Sequence, residues 1–83
     1  MTPREQSVHA VQLLKQAVLA YLSSHPDGAN NAEIAENLNL RSDFEGNQKD
    51  YLSYSILGLL IGERKVRHEK VGSRRLYFVN EAT

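Results

Sequence analysis

Gln48-Lys49-Asp50-Tyr51-Leu52-Ser53-Tyr54-Ser55-Ile56-Leu57-Gly58-Leu59-Leu60-Ile61 leads through Lys65-Val66-Arg67-His68-Glu69-Lys70-Val71 to Gly72-Ser73 and then Arg75-Leu76-Tyr77-Phe78-Val79. The first part reads as a helix over residues 48–62. At about 100° per residue, Leu52, Ile56, Leu59 and Leu60 gather on one side with Ser53 and Leu57 flanking, a face for other helices. Tyr51, Tyr54, Ser55 and Gly58 fall on the opposite side. The second part alternates well enough for a strand, turns at Gly72-Ser73, and returns through aromatic and β-branched residues, which predicts a hairpin over residues 65–79. Between Arg64 and Arg75 stand six basic residues, Arg64, Lys65, Arg67, Lys70, Arg74 and Arg75, against the single acid Glu69.

Upstream of this unit, Thr2-Pro3-Arg4-Glu5 has the form of a capping box with proline at the first helical position. Val8, Val11, Leu14, Val18, Tyr21 and Leu22 then recur at spacings of three and four, predicting a helix over 3–24 that stops at Pro26 and Asp27-Gly28. Such a stripe is a scaffold face first and a dimer surface second. Asn30 stands three residues before Glu33, and Ala32, Ile34, Ala35 and Leu38 follow at helical spacing, predicting a short helix over 31–39. Leu40 to Asn47, rich in Ser, Asp, Gly and Asn, reads as a loop with Phe44 as its one large apolar anchor.

The chain has 83 residues, which is room for one domain, 1–83, with a modest core. Its hydrophobic fraction of 41% and charged fraction of 24% are those of an ordinary globular protein, so wholesale disorder is not expected. Cysteine is absent, which removes disulfides and thiolate metal sites and fits a reducing compartment. The expected location is the cytoplasm. The first residues read as a helix start rather than a leader, and no apolar run approaches the roughly 20 residues of a membrane span. His9, His25 and His68 fall on different elements, so no metal site is expected. No nucleophile-elbow or phosphate-loop spacing occurs either, and the chain reads as neither an enzyme nor a cofactor carrier.

Glu33-Ile34-Ala35 through Leu38, then Ile56-Leu57 through Leu60, then Lys65-Val66 with the basic hairpin, resemble the winged helix-turn-helix superfamily over roughly residues 7–80. The resemblance implies a mainly α fold with a small β-ribbon, three helices followed by a two-stranded C-terminal wing. Leu60 would be the last core leucine of the third helix and Val66 the apolar residue opening the wing, with Arg64 where a glycine commonly stands. The segment between helices 2 and 3 is longer than the tight turn of the simplest members. The family's docking mode puts the third helix in the major groove and the wing tip on phosphate or in the minor groove.

Ten Lys plus Arg balance ten Asp plus Glu, so total charge does not announce a nucleic-acid partner. Local charge decides, because fields are screened beyond about 10 Å at moderate salt and the basic residues are concentrated in one segment. The expectation is a double-stranded DNA-binding protein, a small transcriptional regulator acting as a homodimer on paired half-sites. Arg67, Lys70, Arg74 and Arg75 would meet phosphates through the wing. Gln48, Lys49, Tyr51, Tyr54 and Ser55 would meet the groove, and Arg41 the backbone beside the loop. The competing reading is a protein-interaction module whose anchor patch is Tyr51, Tyr54, Leu57 and Ile61. RNA remains open, since the ribbon's residue types do not distinguish nucleic acids.

Overall fold

A computed structural model of the chain describes residues 1–44 and 47–80, and for residues 43, 44, 47 and 48 the backbone alone. The elements in order are α1 (Pro3–Ser23), α2 (Asn31–Asn37), β1 (Ser42–Phe44), β2 (Asn47–Lys49), α3 (Tyr51–Gly62), β3 (Val66–Val71) and β4 (Arg74–Val79). The result is an α+β fold. Three helices pack beside an antiparallel hairpin, and a second, shorter strand pair sits between α2 and α3.

α1 starts where its capping residues place it. The Thr2 amide donates to the Glu5 carboxylate at 2.8 Å and the Glu5 amide donates to the Thr2 hydroxyl at 3.2 Å. These bonds satisfy helix-end amides that would otherwise lack partners. They matter because residues 1–10 are all exposed, so the first turns gain little from packing. The apolar stripe engages the core only further on: Val18 and Leu22 are buried, Val11, Leu14 and Tyr21 pack against them, and Val8 stays 56% exposed. An ion pair from Lys15 to Glu63 ties α1 to the end of α3. The hydrogen bond from Lys15 is the main reason the Glu63 carboxyl is held below the ordinary carboxylate range.

α2 and α3 end in the same way. After α2, Asn39 adopts φ 56°, with its amide donating to the Glu36 carbonyl and the Leu40 amide to Ala35. After α3, Arg64 adopts φ 63°, with its amide donating to Ile61 and the Lys65 amide to Leu60. Both are Schellman closures, in which two terminal carbonyls find donors. Asparagine tolerates this backbone, whereas arginine is strained there, since a Cβ in the left-handed region costs about 1–2 kcal/mol. Arg64→Gly is therefore expected to raise the unfolding free energy by about 0.5–1 kcal/mol in urea denaturation, the relief of strain being partly offset by glycine's larger chain entropy. α2 accordingly stops at Asn37, two residues short of the expected 39, because Asn39 belongs to the closure.

The register of α3 differs from the wheel in a way that matters for the site. Ser53, Ile56, Leu57 and Leu60 are its buried residues, while Leu52 and Leu59 remain 44% and 47% exposed. The helix is rolled so that Leu57 enters the core and Leu59 leaves it. Ser53 explains the roll. Its hydroxyl lies 2.6 Å from the Asn31 side-chain oxygen, and the Asn31 amide donates to the Asp50 carbonyl at 3.1 Å. A small polar residue with a partner on α2 thus takes the close-contact position that a leucine was expected to fill. Together with Val18, Leu22, Ala29, Ile34, Val66 and Tyr77, the α3 residues form one core.

β3 and β4 pair in the register Val66↔Val79, His68↔Tyr77, Lys70↔Arg75 and Val71↔Arg74, as expected from a two-residue turn at Gly72-Ser73, with Gly72 at φ 64°. A single residue adds an edge to this hairpin. The Tyr77 amide donates to Ala29 at 2.8 Å and the Ala29 amide to Tyr77 at 3.2 Å, stitching the α1–α2 connection to the sheet. This strand-like contact is not visible in the local sequence, because one residue carries no periodicity.

The segment expected to be a loop is instead a small hairpin. Ser42 pairs with Lys49, Asp43 with Gln48 and Phe44 with Asn47, so α3 begins at Tyr51 rather than Gln48. Asp50 is the reason for the later start. It precedes the helix at φ −107°, and its carboxylate accepts from Arg41 Nε at 3.1 Å, closing the base of the hairpin. Polar residues with no β-branching hid the strands. The anchoring role expected of Phe44 falls on a side chain outside the described residues.

Candidate nucleic-acid interface

The outward face of α3 carries Tyr51, Ser55, Gly58 and Gly62, all exposed, with Tyr54 on its flank toward the hairpin. Tyr51 is 67% and Tyr54 55% exposed, large values for aromatic side chains on a helix. A Cβ added at Gly58 would meet nothing within 4 Å, so no neighbouring group in the fold requires glycine there. Lys49, half-buried, lies on β2, not on the helix. Gln48 is also on β2, and its side chain lies outside the described residues. These two assignments to the helix surface are therefore corrected by the later start of α3.

Strand alternation sorts the hairpin cations onto two faces. His68, Lys70, Arg75 and Tyr77 share the face of buried Val66; Arg67, Glu69, Arg74 and Phe78 share the other. Arg67 is occupied on its own side, lying 4.3 Å over the Phe78 ring and 2.6 Å from the Glu69 carboxylate. Arg74 reaches across to α2, where its guanidinium bonds Glu33 at 2.8 Å. Arg41 is engaged with Asp50. Of the four hairpin cations singled out in the sequence, the structure brings Lys70 and Arg75 together with Tyr54. Arg67 and Arg74 lie apart from that group in carboxylate pairs.

Where Tyr54 faces the hairpin there is a cleft of about 410 Å³ lined by Asn30, Asn31, Ala32, Tyr54, Lys70, Ser73, Arg75 and Tyr77. Among the described residues, no carboxylate lines it. Tyr77 supports its floor: the side chain is buried, the ring stacks near His68 at 6.1 Å, and burial pushes the phenol pKa up, against the opposing effect of a hydrogen bond and charge from Arg75. The phenol consequently stays protonated at neutral pH. Ser73, Tyr77, Asn30 and Asn31 escaped the sequence reading. The signal for the first two was present, since a two-residue turn at 72–73 fixes which strand residues share a face.

The rival anchor patch is only half assembled. Leu57 is fully buried and Ile61 packs against the core, leaving Tyr51 and Tyr54 as the exposed pair. Among the described residues, no three His, Asp or Glu side chains converge to hold a metal ion, and no helix is long and apolar enough to cross a membrane. The chain matches no protein-family model, no curated protein and no solved structure.

Proposed function

We propose that this chain is a winged helix-turn-helix protein that binds duplex DNA, with α3 laid into the major groove and the β3–β4 hairpin against the sugar-phosphate backbone. One observation carries the reading: an exposed helix face bearing Tyr51, Tyr54 and Ser55 adjoins a cleft, lined by no carboxylate among the described residues, with two cations on the inner face of a hairpin. Tyrosine and serine hydroxyls bond phosphate oxygens and base edges, and Lys and Arg supply the salt-dependent attraction of a polyanion. The element order, with Ala29 adding an edge to the β3–β4 hairpin, supports the same reading. The role is that of a small transcriptional regulator, a binding protein rather than an enzyme. A homodimer on half-sites about one helical turn apart fits this docking mode.

Anisotropy titration of a labelled mixed-sequence duplex tests the proposal. With at least one phosphate neutralised by Lys70 and Arg75, log K is expected to fall against log salt with a slope of about −0.9 or steeper. A slope near zero, or no binding at low salt, would end the DNA reading. The interaction-module alternative rests on the exposed Tyr51 and Tyr54. It predicts that the double change Tyr51→Ala with Tyr54→Ala abolishes self-association or capture of a protein while leaving DNA affinity intact.

A further inference from the structure

Lys70 and Arg75 are direct cross-strand partners whose side chains leave the same face of the hairpin. Like charges placed opposite each other destabilise a sheet, and an anion seated between them would relieve the repulsion. The other hairpin arginines singled out have carboxylate partners within the chain: Arg67 is held by Glu69 and Arg74 by Glu33. Lys70 and Arg75 have no acidic partner among the described residues. They open instead onto the cleft, beside the Ser73 and Tyr54 side chains, with no carboxylate among the described residues of its lining.

The supporting groups are already committed. The Asn30 side chain caps α2 through the Glu33 amide at 2.8 Å, and Asn31 is bound to both Ser53 and Asp50. Tyr77 is buried and lines the cleft beside Arg75. The walls are thus fixed before any ligand arrives, which lowers the ordering cost of binding. Tyr54, half-exposed at the rim, presents an aromatic face next to the positive charges.

We propose that this cleft seats one nucleotide phosphate, bound jointly by Lys70 and Arg75, with the Ser73 and Tyr54 hydroxyls as further donors and the Tyr54 ring against the adjoining sugar or base. The proposal deepens the DNA reading by identifying where helix and hairpin grip the same phosphate. The shared chemistry is a nucleotide phosphate, and its sources are a duplex backbone, a single strand or a free mononucleotide. A phosphopeptide has the charge but offers no base or sugar for Tyr54.

The test uses the full chain and the isosteric variants Lys70→Gln, Arg75→Gln and their double, with Arg4→Gln as a one-charge control on the exposed start of α1 and with amide spectra verifying the fold. Anisotropy is measured on a duplex and on one of its strands, and amide shifts are recorded with inorganic phosphate, a nucleoside monophosphate and a phosphotyrosine peptide. Each single variant is expected to weaken duplex binding about 10- to 150-fold at low salt, as loss of a hydrogen bond to a charged group does. The double variant is expected to lower the salt slope by only about 0.9, because both cations share one phosphate. A drop of about 1.8 means two separate phosphates and overturns the shared seat. If wild type binds duplex but the variants match Arg4→Gln, the cleft proposal is overturned while the DNA reading stands. Where duplex and single strand are both ignored but the monophosphate shifts residues 54, 70, 73 and 75, and the double variant abolishes those shifts, the seat stands as a free-nucleotide site and the DNA reading falls. Stronger binding of the phosphopeptide than of every nucleotide overturns the ligand class.

Discussion

Leu57→Ala is expected to remove a large share of this domain's stability, and Leu59→Ala very little. Leu57 is 0% exposed at the meeting of α3 with the core, whereas Leu59, two residues on, is 47% exposed. Truncating a buried leucine removes its transfer free energy and leaves a cavity, together about 2–5 kcal/mol. A domain of 83 residues has roughly 4–12 kcal/mol in total, so the melting temperature is expected to fall by at least about 10 °C. For Leu59 the loss is under about 1 kcal/mol, because most of its partner is water. Thermal melts of the two variants side by side decide the roll of α3, and equal losses would contradict the register described above. The comparison also bears on function, because the roll that buries Leu57 directs Tyr51, Ser55 and Gly58 outward.

Gly28→Ala is expected to cost about 2–5 kcal/mol. The residue sits at φ 86°, which an L side chain adopts only under strain of about 1–2 kcal/mol. A Cβ there would also stand 2.7 Å from Phe78 Cε1 and Cζ and 3.2 Å from Leu76 Cβ. The Phe78 ring cannot yield freely, since it is half-buried beneath the Arg67 guanidinium. Overpacking of this kind adds about 1–3 kcal/mol. The neighbouring Ala29–Tyr77 pairing is expected to loosen as well, visible as faster hydrogen exchange of the Tyr77 amide. Gly58→Ala is the matched control: it meets open space in mid-helix, and alanine's propensity is expected to raise stability by about 0.5–1 kcal/mol. Urea midpoints measure both, and a Gly28 variant as stable as wild type would show that the turn does not need glycine.

The parts of the fold written in short-range chemistry were legible. The capping box at Thr2-Pro3-Arg4-Glu5, the cap at Asn30 and the Gly72-Ser73 turn each depend on residues within a few positions of one another. What escaped depends on partners distant in sequence. The roll of α3 is set by Ser53 meeting Asn31, 22 residues away, and no helical wheel contains that bond. The ion pair of Arg74 with Glu33, 41 residues upstream, has no local sequence signal either. The β1–β2 hairpin was hidden by polar composition, its strands being recognisable only by backbone pairing and the Arg41–Asp50 closure. For the site, composition picked out the basic hairpin, but strand parity separates Lys70 and Arg75 from Arg67 and Arg74. That parity followed from the turn and required counting outward from residues 72 and 73.

The most direct test of the central claim is an amide-shift titration of isotopically labelled protein with a mixed-sequence DNA duplex at low salt, repeated at higher salt. The account predicts shifts at Tyr51, Tyr54, Ser55, Lys70, Ser73 and Arg75 that fade as salt rises, with the exposed start of α1 unmoved. If saturating duplex leaves those six residues unshifted, or shifts α1 in their place, the face formed by α3 and the hairpin is not a DNA-binding surface.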